Sequence, residues 1–91
     1  MERIHAIVTG RVQGVGFRQF TYQTALEHNI KGWVRNLQDG SVEIEAQGDE
    51  QSLSDFFRAI HKGPSFFAKV KNVQKTKIHK LEDFKKFKII Y

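Results

Sequence analysis

Cysteine is absent from this 91-residue chain, which excludes disulfides, zinc ribbons, redox motifs and a cysteine nucleophile. Proline occurs once, in Gly63-Pro64. No apolar run approaches the roughly 18 residues that span a bilayer. The start, Met1-Glu2-Arg3-Ile4-His5, lacks the apolar stretch of a secretory leader. A cytoplasmic protein that meets no membrane is therefore expected. Repeats, linkers and low-complexity tracts are missing too, and the length suits one domain over residues 1–91. Arginine is scarce in one place: residues 62–91 hold 9 Lys, no Arg and 2 acids, whereas residues 1–61 hold 6 basic and 8 acidic residues. A basic third built of lysine alone is poorly suited to bidentate phosphate or base recognition. A solvated strand face is the commoner use of such a run.

What is present alternates in period. Ile4-His5-Ala6-Ile7-Val8-Thr9 is a β-branched run closed by Gly10. Residues 10–16 carry three glycines, a loop that calls for unusual backbone angles. Phe17, Phe20, Tyr22, Ala25 and Leu26 fit a helical period over residues 17–29, with Asn29 as a left-handed stop. Residues 31–37 and 42–46 read as strands, and Asp39-Gly40 between them favours a hairpin. Leu53, Phe56, Phe57 and Ile60 mark a second helix, with Asp49 or Ser52 as N-cap and Gly63-Pro64 as its end. Residues 70–78 form a lysine-rich strand and residues 87–91 a last one. The order βαββαβ plus a short C-terminal strand predicts an α+β fold. It is a ferredoxin-like two-layer sandwich, with a largely antiparallel sheet and both helices on one face.

Chemistry concentrates in Gly10-Arg11-Val12-Gln13-Gly14-Val15-Gly16-Phe17-Arg18. The segment joins a buried strand to a helix, so successive backbone N–H groups can converge on an anion there. Arg18, in the first helical turn, adds a planar guanidinium suited to a tetrahedral phosphate. A dinucleotide fingerprint fails because Gln19 stands where its third glycine would be, and no Walker Gly-Lys-Ser/Thr occurs. A Cys-x5-Arg phosphatase loop would need its nucleophile at Val12. Any phosphoryl group held here must therefore be attacked directly by water. Asn36, just before the turn, can orient a water without acting as a base. Supporting the hairpin turn is an equally ordinary task for an asparagine.

Together with Gly32-Trp33-Val34-Arg35-Asn36-x-x-Asp39-Gly40-x-Val42-Glu43, the glycine-rich segment resembles the acylphosphatase family, and the similarity covers nearly the whole chain. The resemblance implies a ferredoxin-like sandwich that hydrolyses carboxyl-phosphate anhydrides without metal or cofactor. It implies that Arg18 binds the phosphate and Asn36 positions the water. Backbone amides of Gln13, Gly14, Val15, Gly16, Phe17 and Arg18 would complete the cradle, and a substrate oxygen would take the water's proton. The implied partners are a small acyl phosphate and inorganic phosphate, with no nucleic acid, for a monomer. Gln38 replaces the proline often found before Asp-Gly in that family. Ser65-Phe66-Phe67 is slightly longer and more aromatic than usual, a change that bears on acyl preference or partner contact.

Other residues have plainer expectations. His5, His28, His61 and His79 lack metal-ligand spacing. Glu43 and Glu45 suit a solvated strand face, and Trp33, Phe56, Phe57 and Phe87 a core. Lys69, Lys71, Lys75 and Lys77 share a parity and predict one exposed stripe. Two other functions fit the same element order. One is an RNA-recognition module, although Val42-Glu43-Ile44-Glu45-Ala46 lacks the aromatics that such a domain stacks on bases. The other is a non-catalytic acyl-phosphate-binding domain, against which the pairing of Arg18 with Asn36 argues.

Overall fold

The computed structural model describes residues 1–13, 15–64 and 69–91. Its elements are β1 (Glu2–Arg11), α1 (Val15–Glu27), β2 (Lys31–Asn36), β3 (Val42–Gly48), α2 (Glu50–Lys62), β4 (Lys69–Ile78) and β5 (Phe87–Ile90). The strands form one sheet in the order β4-β1-β3-β2-β5, parallel between β2 and β5 and antiparallel elsewhere. This is the expected ferredoxin-like sandwich with an added edge strand. Alternation sends Ala6, Val8, Val34, Val42, Ile44 and Ala46 to one face of the sheet. Leu53, Phe56, Phe57 and Ile60 of α2 and Phe17 and Ala25 of α1 complete the same core.

Helix α1 is less apolar than its spacing suggests. Leu26 is 51% exposed, while Thr21 and Thr24 are buried. Each threonine hydroxyl donates to the carbonyl four residues back, Phe17 at 3.0 Å and Phe20 at 2.7 Å, so burial leaves neither unpaired. Asn29 takes the left-handed conformation that ends the helix, with φ at 61°. Asp49 occupies the N-cap of α2, but its side chain makes no capping bond.

Three side-chain expectations change on the sheet's other face. The segment between β4 and β5 must cross from one sheet edge to the opposite one, and it crosses there. Gln47 donates to the Glu82 carbonyl at 2.8 Å and accepts from the Glu82 amide at 2.9 Å. Under that crossing Glu45 is only 5% exposed, and Arg3 Nε meets its carboxylate at 2.6 Å. Glu43 accepts from Arg35 at 2.6 Å and lies 2.7 Å from His5 Nε2. Burial acts to raise the Glu43 carboxyl, but the contacts with His5 and Arg35 outweigh it and hold the group below its ordinary range. The two glutamates are therefore paired, not freely solvated. Trp33 also lies on this face, outside the core, with the Arg35 guanidinium 5.5 Å from its ring.

The lysine stripe breaks as well. The β1–β4 ladder pairs Thr9 with Asn72 and Gly10 with Val70, leaving Lys71 as an inserted residue. Such a bulge reverses parity along the strand. Lys75 pairs with Ala6 and turns to the helix side, its Nζ 5.4 Å from the Phe57 ring. Lys69 pairs with Arg11 and belongs to the opposite face.

Gly32 shows how closely two strands approach. It has φ at +138°, and a Cβ built there would lie 1.9 Å from the Glu45 carbonyl oxygen. Gly40, in the hairpin turn, has φ at +94°, and a Cβ built there would meet no atom of the described residues within 4 Å. Gly40→Ala is expected to cost about 1 kcal/mol through its backbone angle alone. Gly32→Ala adds a backbone clash, and roughly 3 kcal/mol or more is expected. Thermal melts of both variants check this, and equal losses would show that φ alone sets the cost.

Candidate active site

The sheet's connectivity gathers candidate chemistry at one end of its strands. Strands β1, β2 and β5 run the same way, so Arg11, Asn36 and Tyr91 all stand where those strands finish. Helix α1 starts at Val15, so Val15, Gly16, Phe17 and Arg18 are its first four residues. Their amides precede the intrahelical ladder and have no acceptor within the helix. The expected loop is thus shorter, and four of the six cradle residues belong to a helix N-terminus. Gly16 is helical, without a positive φ. Gly14, like Ser65, Phe66 and Phe67, lies outside the described residues.

Arg18 and Asn36 share an uncommon property. Among the described residues, two buried side-chain polar atoms lack a hydrogen-bond partner, Arg18 Nε and Asn36 Oδ1. Leaving such an atom unpaired costs about 1–3 kcal/mol. The two therefore stand out, among the described residues, as polar atoms that the fold itself does not satisfy. The hairpin does not use Asn36 Oδ1. Its turn is closed instead by Asp39 Oδ1, which accepts from the Ser41 hydroxyl at 2.5 Å and from the Ser41 amide at 2.9 Å. Those bonds, the hydroxyl first, hold the Asp39 carboxyl below its ordinary range.

Two neighbours escaped the sequence reading. The Arg18 guanidinium lies 4.6 Å from the centre of the Tyr91 ring. Parallel pairing of Arg35 with Ile90 brings the following residues, Asn36 and Tyr91, to the same corner. Tyr91 therefore carries Arg18 beside Asn36, a cation–π contact no local pattern announces. The second is the side chain of Gln13, expected to contribute only an amide. Its Nε2 donates to the Ser41 carbonyl at 2.8 Å and approaches the Leu37 carbonyl at 3.4 Å. Ser41 O also accepts the Leu37 amide at 2.9 Å. Gln13 thereby ties the segment ahead of α1 to the hairpin that bears Asn36.

Among the described residues, a two-layer sandwich thus brings together an open helix start, an unpaired guanidinium nitrogen and an unpaired amide oxygen, groups of the kind that suit a phosphate. The chain belongs to the acylphosphatase family, whose model matches residues 4–89, and it is an enzyme of that family. It is 50% identical to an acylphosphatase of Bacillus licheniformis over all 91 residues, covering both chains fully. The crystal structure of acylphosphatase from Bacillus subtilis superposes with a TM-score of 0.94 at 43% identity, again covering 100% of each chain. An acylphosphatase from Coxiella burnetii gives a TM-score of 0.90 at 37% identity, over 98% of this chain and 92% of that one.

Proposed function

We propose that this protein hydrolyses acyl phosphates by direct attack of water on phosphorus. Arg18 and the amides of residues 13–18 hold the phosphoryl oxygens, and Asn36 holds the water in line with the leaving carboxylate. A water oxygen forms the new bond to phosphorus as the bond to the acyl oxygen breaks. The departing electron pair leaves on the carboxylate, and a phosphoryl oxygen of the substrate takes the water's proton. A carboxylate is a good leaving group, so no general acid is needed. The obstacle is bringing water to an anionic phosphoryl group, which positioning and charge stabilisation overcome. The guanidinium and helix-start amides act most strongly as charge builds on the equatorial oxygens.

The observation that carries this reading is the pair of atoms unpartnered among the described residues, Arg18 Nε and Asn36 Oδ1, at one end of the sheet's strands. A donor fits the phosphoryl oxygens and an acceptor fits a water proton. The test is release of inorganic phosphate from benzoyl phosphate, with and without EDTA. Phosphate and benzoate should appear in equal amounts, at a rate indifferent to chelator. Salt-sensitive RNA binding without any hydrolysis would overturn the reading.

A further inference from the structure

Resting on that hydrolase reading, we propose that the Gln13 side chain is a positioning residue. It sets the separation between the phosphate held at the start of α1 and the water held by Asn36. The two halves of the site belong to segments that the strand ladders leave unjoined. Asn36, Val42 and Val8 form the last row of paired residues linking β2 to β1 across β3. Beyond Val8, β1 keeps its pairing with β4 alone, as far as Arg11. The chain then enters α1 at Val15 and carries Arg18 past the end of that row.

Gln13 supplies the tie. Its Nε2 faces two carbonyls, Ser41 at 2.8 Å and Leu37 at 3.4 Å, and both belong to the closure of the hairpin. Ser41 O accepts the Leu37 amide at 2.9 Å, and Leu37 O accepts the Gly40 amide at 3.2 Å. Leu37 directly follows Asn36, so the Gln13 amide grips the backbone next to the point from which the Asn36 side chain hangs. Asp39 braces the far side of the same turn through the Ser41 amide and hydroxyl, so the turn moves as a unit. Among the described residues no other side-chain hydrogen bond joins residues 11–18 to residues 36–42.

The residue type suits this task and no packing task. Gln13 is exposed and takes no part in the core. An amide whose two N–H bonds reach two carbonyls fixes a distance, which an apolar side chain of the same length cannot do. In-line attack depends steeply on that distance, and a misplacement of about 1 Å can cost on the order of 10²-fold. Phosphate binding depends on it far less, because Arg18 and most of the amides are carried by α1 itself. Loss of the tie should therefore appear in kcat and not in phosphate affinity.

The experiment uses the full chain, with benzoyl phosphate as substrate and inorganic phosphate as competitive inhibitor. Gln13→Met keeps the length and loses the donor. Gln13→His keeps a ring N–H at similar reach, and at about pH 8 its imidazole is neutral and adds no charge beside the phosphate. Gln13→Met should lower kcat roughly 10–100-fold, while the inhibition constant for phosphate moves by less than about threefold. Gln13→His should recover most of that kcat. In an Asn36→Ala background, Gln13→Met should add less than about a further twofold, because the group it positions is gone. Where Asn36→Ala falls to the enzyme-free rate, the phosphate constant and the histidine variant decide alone. An unchanged kcat in Gln13→Met, or a histidine variant no better than the methionine one, would overturn the positioning role. So would a phosphate affinity loss equal to the rate loss, or a full further fall on top of Asn36→Ala. Each of these leaves the hydrolase reading standing, whereas no hydrolysis by the wild type would overturn both.

Discussion

Arg18→Lys is expected to lower kcat/KM for an acyl phosphate by roughly 10³-fold or more while the protein stays folded, since guanidinium groups on transferring phosphoryl groups act on that scale. Lysine keeps the charge but loses the planar fork that holds two oxygens at once. It also loses a pre-set position, because the guanidinium is held 4.6 Å from the Tyr91 ring. Stability should change little, since Arg18 Nε makes no hydrogen bond to lose among the described residues. Steady-state kinetics with a thermal melt check both halves. Inorganic phosphate should inhibit the wild type competitively and the variant weakly. A folded Arg18→Lys protein with near-normal kinetics would remove Arg18 from the site.

Asn36→Ala separates aiming the water from gripping the phosphate. If the side chain only orients the nucleophile, kcat should fall about 10²–10³-fold with the affinity for inorganic phosphate nearly unchanged. An affinity loss equal to the rate loss would show that Asn36 binds the phosphoryl group itself. The melting temperature gives a second, independent reading. Asn36 Oδ1 is buried and unpaired, so its removal takes away a desolvation cost and no described hydrogen bond. The variant should melt at the same temperature as the wild type or slightly above it. A clear loss of stability would return Asn36 to a structural role in the hairpin. Activity and stability moving in opposite directions is the signature of a group held for its chemistry.

The amino-acid sequence by itself determined the features that depend on neighbours along the chain. Apolar spacing in residues 53–60 requires a helix with one buried stripe, and Asp39-Gly40 requires a tight reversal. The strand–glycine–helix segment ending at Arg18 requires a helix start with free leading amides, wherever the fold puts it. The βαββαβ order then leaves few topologies, and the sandwich is among them. Tertiary structure alone decided whatever depends on which strand lies beside which. Trp33 reads as a core residue until β2 is given its register, and that register turns its ring to the open face with Arg35. Glu45 reads as solvated until the crossing between β4 and β5 covers it, leaving Arg3 as its partner. Four lysines of one parity read as one stripe until a bulge opposite Thr9 and Gly10 divides them. The site follows the same division. Arg18 and Asn36 could be named as candidates from the sequence because each sits in a local motif. The Tyr91 ring beneath Arg18 and the Gln13 amide on Ser41 were not, since each contact joins segments distant in sequence. Periodicity reports how a segment meets its immediate surroundings, whereas pairing register is set by distant strands, and one inserted residue is enough to change the face a side chain occupies.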